Sequence, residues 1–116
     1  MTNLNRLKLY LNKKQYFTDE EYTQFLEECG LDAIEEYDHG NDKKEMLESV
    51  YTVLQSLAND IDNFRKVETE FVTTTAAEQY IEKRMQAIRT EINRIDELEK
   101  ADGSTNVTGY FFYNNS

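Results

Sequence analysis

The sequence predicts an all-α fold: a small bundle of about four helices with a long helical hairpin and an extended aromatic C-terminal tail. Three observations carry that expectation. The 116 residues include no proline, so long helices meet no backbone break. Apolar residues recur at steps of three and four over most of the chain, the period of one helix face. Capping residues stand ahead of those stripes, three positions before a glutamate, where each side chain closes the other's free backbone N–H.

Leu4, Leu7 and Leu11 share one face and predict a first helix over 3–14. The second start is sharper. Thr18 and Glu21 form a capping-box pair, and Phe17 and Tyr22 have the spacing of a hydrophobic staple. Tyr22, Phe25, Leu26 and Cys29 continue as an apolar stripe, and Gly30 supplies a left-handed stop, which places a helix over about 19–29. Residues 31–41 read as one turn after Asp32 followed by a loop through His39, Gly40 and Asn41.

From Asp42, with Glu45 at capping distance, a broad apolar face runs across 43–66. Met46, Leu47, Val50, Tyr51, Val53, Leu54, Leu57, Ala58, Ile61 and Phe64 belong to it. Its breadth predicts a central helix touched from more than one side. The β-branched run Val72 to Thr75 interrupts the pattern. Thr75 and Glu78 then signal another start. The seam that follows, Ile81, Met85, Ile88, Ile92 and Ile95, alternates steps of four and three between charged flanks. Packing as half of a hairpin with 43–66 and packing between subunits both suit it.

After Lys100 the composition changes, dividing a helical domain over 1–100 from a segment over 101–116. Residues 102–106 read as a flexible linker. Tyr110, Phe111, Phe112 and Tyr113 then follow without interruption. Four rings beyond a polar tether suit an extended segment docked on another chain, with alternate rings filling pockets. Each buried ring would contribute about 1.5–3 kcal/mol, less the cost of ordering the tether. Folding back onto the chain's own core is the competing use of the same rings.

Charge narrows the partners. Acids outnumber bases 23 to 13, for a formal net charge of -10. Affinity for free DNA relies on Lys and Arg displacing counterions, so the surface favours protein partners. Residues 1–17 hold four bases (Arg6, Lys8, Lys13, Lys14) and no acid, whereas 18–40 hold nine acids and no base. The two segments can pair within the fold or between copies. The opening residues lack the apolar run of a signal peptide and no stretch is long enough to span a membrane. With one cysteine, the expected setting is a reducing cytoplasm.

Catalysis finds little material. A Cys–His or Ser–His–acid arrangement would have to use His39, which lies in a polar loop, and Cys29 lies on an apolar face. One Cys and one His are too few for zinc. Glu45 and Glu48 share a face, as do Glu78 and Glu82, so a magnesium-dependent helical hydrolase was weighed. Each pair has a base nearby and suits a solvated face better. The expectation is no enzyme, no catalytic residue, no metal and no cofactor.

The stretches NLNRLKLYLNKKQYFTDEEYTQFLEECGL and LANDIDNFRKVETEFVTTTAAEQYIEKRMQAI, with the terminal YFFYN, resemble head–tail connector proteins of tailed phages and prophages of Gram-positive bacteria. These are also called adaptors or head-completion proteins. The resemblance implies a virion protein at the head–tail interface, assembled in the bacterial cytoplasm. It would form a homo-oligomeric ring of about a dozen copies below the portal protein. A downstream connector or tail protein would sit on its other side, and DNA would pass through without specific binding. By the same resemblance Tyr110 to Tyr113 would anchor the ring on the portal, and the seam from Ile81 to Ile95 would pack subunits. A small acidic helical regulator or inhibitor, acting as a DNA mimic, is the alternative that the charge allows.

Overall fold

The computed structural model describes residues 1–59, 61–71 and 73–107, with side chains described except at 61–63, 66 and 102–107. It is all-α: α1 (Asn3–Tyr10), α2 (Asp19–Glu28), α3 (His39–Asn59), α4 (Ile61–Glu68) and α5 (Thr74–Val107). The one β pairing among the described residues is an isolated bridge between Thr2 and Glu36.

α1 is shorter than the spacing predicts because Asn12 ends it. Asn12 and Lys13 have φ of 58° and 61°, the left-handed region in which Asn is favoured among side-chain-bearing residues. Lys13 N–H donates to the Lys8 carbonyl and Asn12 N–H to the Leu9 carbonyl, closing a Schellman stop. Gly30, at φ 89°, ends α2 in the same way. There Leu31 N–H reaches the Leu26 carbonyl, and both leucine side chains are buried.

The other end of α2 matches its sequence signature. Glu21 N–H donates to Thr18 Oγ1 at 3.1 Å, and Thr18 N–H donates to Glu21 Oε1 at 2.9 Å. The Phe17 and Tyr22 rings meet edge to face, 6.1 Å between centroids. Tyr22 also organises the loop before it: its hydroxyl accepts from Tyr16 N–H at 3.0 Å and donates to the Lys14 carbonyl at 3.0 Å.

Residues 32–38 make a turn at Asp32, short of a helix, and then cap α1. Asn3 N–H donates to the Glu35 carbonyl and Leu4 N–H to the Ala33 carbonyl, satisfying two of the four orphan donors of that helix start. α3 begins four residues before the expected 43. Asp38 is the cap: its Oδ1 accepts from Gly40 N–H at 3.0 Å, and Asp42 Oδ2 accepts from Asp38 N–H at 3.2 Å. Helix runs through Asn59 and again from Ile61 to Glu68 on either side of Asp60, which lies outside the described residues, in line with the helix expected over 43–66. α5 likewise starts one residue earlier than Thr75, because Thr73 Oγ1 takes the cap, accepting from Ala76 N–H at 3.0 Å.

α3 is the central helix, packed against α1, α2 and α5. Met46, Leu47, Val50, Val53, Leu54 and Leu57 are buried along it, joined by Leu7, Leu11, Tyr22 and Leu26 from the first two helices and Val67 from α4. α5 is 34 residues long, about 51 Å at 1.5 Å per residue. It accounts for the long dimension of a molecule measuring 54 × 32 × 18 Å. The helix runs through 101–107, where the sequence reads as a linker. Gly103 costs such a helix only about 1 kcal/mol relative to Ala.

Candidate functional site

α5 has a buried edge and two flanks, and its residues sort among them by helical period. The seam is the buried edge. Ile81, Ile88 and Ile92 are 3%, 7% and 6% exposed, and Met85 and Ile95 pack half-buried against the same core. Within this chain the five pack as half of the expected hairpin. Their partners are α3 and the rest of this chain, since a broad α3 face needed cover and α5 is the helix antiparallel to it.

On one flank, α1 closes the surface. Arg84 donates from Nη2 to the Tyr10 carbonyl at 2.7 Å and from Nη1 to the Tyr80 hydroxyl at 3.2 Å. Asn12 Nδ2 donates to that hydroxyl at 3.2 Å. Arg84 thus satisfies a carbonyl that the end of α1 leaves open. Further along, Lys43 pairs with Glu91 at 3.0 Å, and Lys44 lies 2.5 Å from Asp96 and 3.8 Å from Glu99. Hydrogen bonds from Arg94 and then Lys43 hold the Glu91 carboxyl down at about 2, and the bond to Asp96 raises Lys44.

The other flank is open. Between α3, α4 and α5 lies a groove of about 1170 Å³ lined by Tyr51, Ala58, Phe64, Glu68, Thr74, Glu78, Ile81, Glu82, Met85, Gln86, Arg89 and Thr90. Its floor is apolar, built from Tyr51, Ala58, Phe64, Ile81 and Met85. Its rim carries three carboxylates and one guanidinium. Thr74 Oγ1 donates to Glu68 Oε2 at 2.6 Å, fixing one end. Arg89 lies over the Tyr51 ring, 4.6 Å from its centroid, within cation–π range. Among the described residues its lining contains no Ser, Cys or His. Its chemistry is that of a seat for an apolar, hydrogen-bonding segment.

The remaining candidate residues scatter. His39 is exposed at the start of α3, its Nδ1 3.0 Å from the Tyr37 hydroxyl. Cys29 is the half-buried C-cap residue of α2. Among the described residues no three His, Cys, Asp or Glu side chains gather as a metal site. Nor is any helix long and apolar enough to cross a membrane. Part of the basic first segment pairs inside the fold: Lys8 meets Asp19 at 2.8 Å and Lys14 meets Glu70 at 2.6 Å. Burial raises the Glu70 carboxyl, but hydrogen bonds from Lys14 and Tyr16 outweigh it and leave it below the usual range. Arg6 lies over two rings, those of Tyr10 and Tyr37, at 5.0 and 4.9 Å.

Tyr110, Phe111, Phe112 and Tyr113 lie outside the described residues. The groove is the feature that sequence reasoning missed. Tyr51, Ala58 and Phe64 stand on the α3–α4 side of it, but as one continuous stripe they pointed to a covered face. No family model, curated protein or solved structure matches the chain.

Proposed function

We propose that this chain is a non-enzymatic assembly subunit of a phage virion: a head–tail connector that forms a ring below the portal and continues the DNA channel. The observation that carries the reading is the projection of α5. Among the described side chains its last core-packed residue is Ile95. Residues 97–101 are exposed, with Leu98 at 54%, and the helix continues to Val107. Twelve residues past Ile95 is about 18 Å of rise. The helix therefore extends to Val107 well beyond the contacts that its described side chains make with the core. The excess of acids supports a subunit past which DNA moves without adhering, and the fold and the open groove suit a protein-binding role.

The reading is tested by deleting residues 107–116 and presenting the protein to the portal. The expected result is an unchanged helical spectrum, a melting temperature within a few degrees of the full chain, and loss of portal binding and of rings by electron microscopy. A large fall in melting temperature would instead assign the rings to the chain's own core.

A second reading has its own observation. Glu20, Glu27, Glu28, Asp32 and Glu35 are exposed on α2 and the turn after it, with no base paired to them among the described residues. An acidic inhibitor of a DNA-binding protein would use that surface. Its affinity would fall steeply with salt and would survive loss of the ring-rich segment.

A further inference from the structure

Whose surface receives the ring-rich segment before any portal is met? The geometry points to a second copy of this chain: we propose that the groove between α3, α4 and α5 of one copy seats Tyr110–Tyr113 of another, and that the portal competes for the same segment. This rests on the reading that the segment docks outside its own helices.

Reach keeps the four rings from the floor of their own groove. The helix holds its course to Val107. Met85, in the groove floor, lies 22 residues earlier on that helix, about 33 Å back along its axis. Tyr113 is six residues beyond Val107, at most about 21 Å of fully extended chain. Even doubled straight back, the rings stop about 12 Å short of Met85, and Tyr113 alone approaches the near end of the groove at Thr90, 17 residues before Val107. Four rings seated along the groove floor belong to a different molecule.

Chemistry matches the two. Residues 107–116 contain no acid and no base, so they meet a rim of Glu68, Glu78 and Glu82 without like-charge repulsion. Tyrosine hydroxyls can donate to those carboxylates, and Arg89 can donate to main-chain carbonyls of an incoming segment. The groove flank of α5 is also the one α1 leaves uncovered, so the seat is accessible without unpacking the fold. The helix end at Val107 and the floor of the seat lie far apart on each copy, a head-to-tail relation that closes into rings when the rotation permits.

Sedimentation of the full-length protein from about 1 μM to about 1 mM tests this. The wild type should associate as concentration rises. Ala58→Glu, at an exposed groove position, should weaken association at least tenfold, as should Phe111→Ser with Phe112→Ser, both with unchanged helical spectra. Mixing the two variants should restore association, because the first retains a segment and the second a groove. A wild type that stays monomeric, a mixture that does not associate, or a ring-substituted variant that associates normally would each overturn the proposal. Portal binding is read separately. If the mixture associates and the wild type ignores the portal, the connector reading falls and the groove assignment stands. If the portal binds while the mixture stays apart, the reverse holds.

Discussion

The two flanks of α5 are built from similar residues and end up in opposite states. On one, Tyr80, Arg84 and Glu91 are drawn into bonds with α1 and α3. On the other, Glu78, Glu82 and Gln86 stand exposed along an open groove. Both flanks are polar, with aromatic and aliphatic residues beneath, so composition does not separate them. The difference is the neighbour. α1 ends at a left-handed Asn12 and offers the bare Tyr10 carbonyl to one flank, whereas the other flank faces the groove. Periodicity sorts residues onto faces; which face is covered depends on where the adjoining elements stop.

The hardest test of this division removes part of the seam between the flanks. Ile88→Ala should destabilise the isolated chain by about 2–5 kcal/mol, the cost of a large-to-small change in a packed core. Chemical denaturation at low protein concentration measures it. If the seam served subunit contacts, the loss would appear in self-association and leave the monomer's stability alone.

A smaller change separates the flanks themselves. Arg84→Ala should cost about 1–2 kcal/mol, since the Tyr10 carbonyl loses its charged donor, while Glu82→Gln, half a turn away, should stay within about 0.5 kcal/mol. Equal costs in thermal melts would mean that α1 does not distinguish the flanks.

How far the sequence could be read follows the same logic. α2 was legible at both ends, because Thr18, Glu21, Phe17, Tyr22 and Gly30 act through bonds and contacts within a few residues. α3 and α5 were legible as helices but not at their starts. Several nearby side chains could cap each, and tertiary fit selected Asp38 and Thr73 over Asp42 and Thr75. The seam of Ile81, Ile88 and Ile92 was visible and its partner was not, since hairpins and subunit interfaces demand the same spacing. The groove was hidden for a stronger reason. It is the space left between residues of α3, α4 and α5, and a gap between elements has no residue pattern of its own.

The gentlest way to probe the closed flank is with protons. Glu91 holds its carboxyl at about 2, against an ordinary 4.5, through Arg94 and Lys43. A folded-state value below the unfolded one stabilises the fold above the unfolded value, and that contribution disappears as pH falls through the folded value. Glu91→Gln should therefore melt below wild type at pH 7, by less than Arg84→Ala does. The gap should narrow as pH drops from about 4.5 toward about 2 and then close. A gap independent of pH would show that Glu91 acts by packing rather than charge. The tie between α3 and the later turns of α5 would then rest on Lys44 and Asp96, which Asp96→Asn would remove.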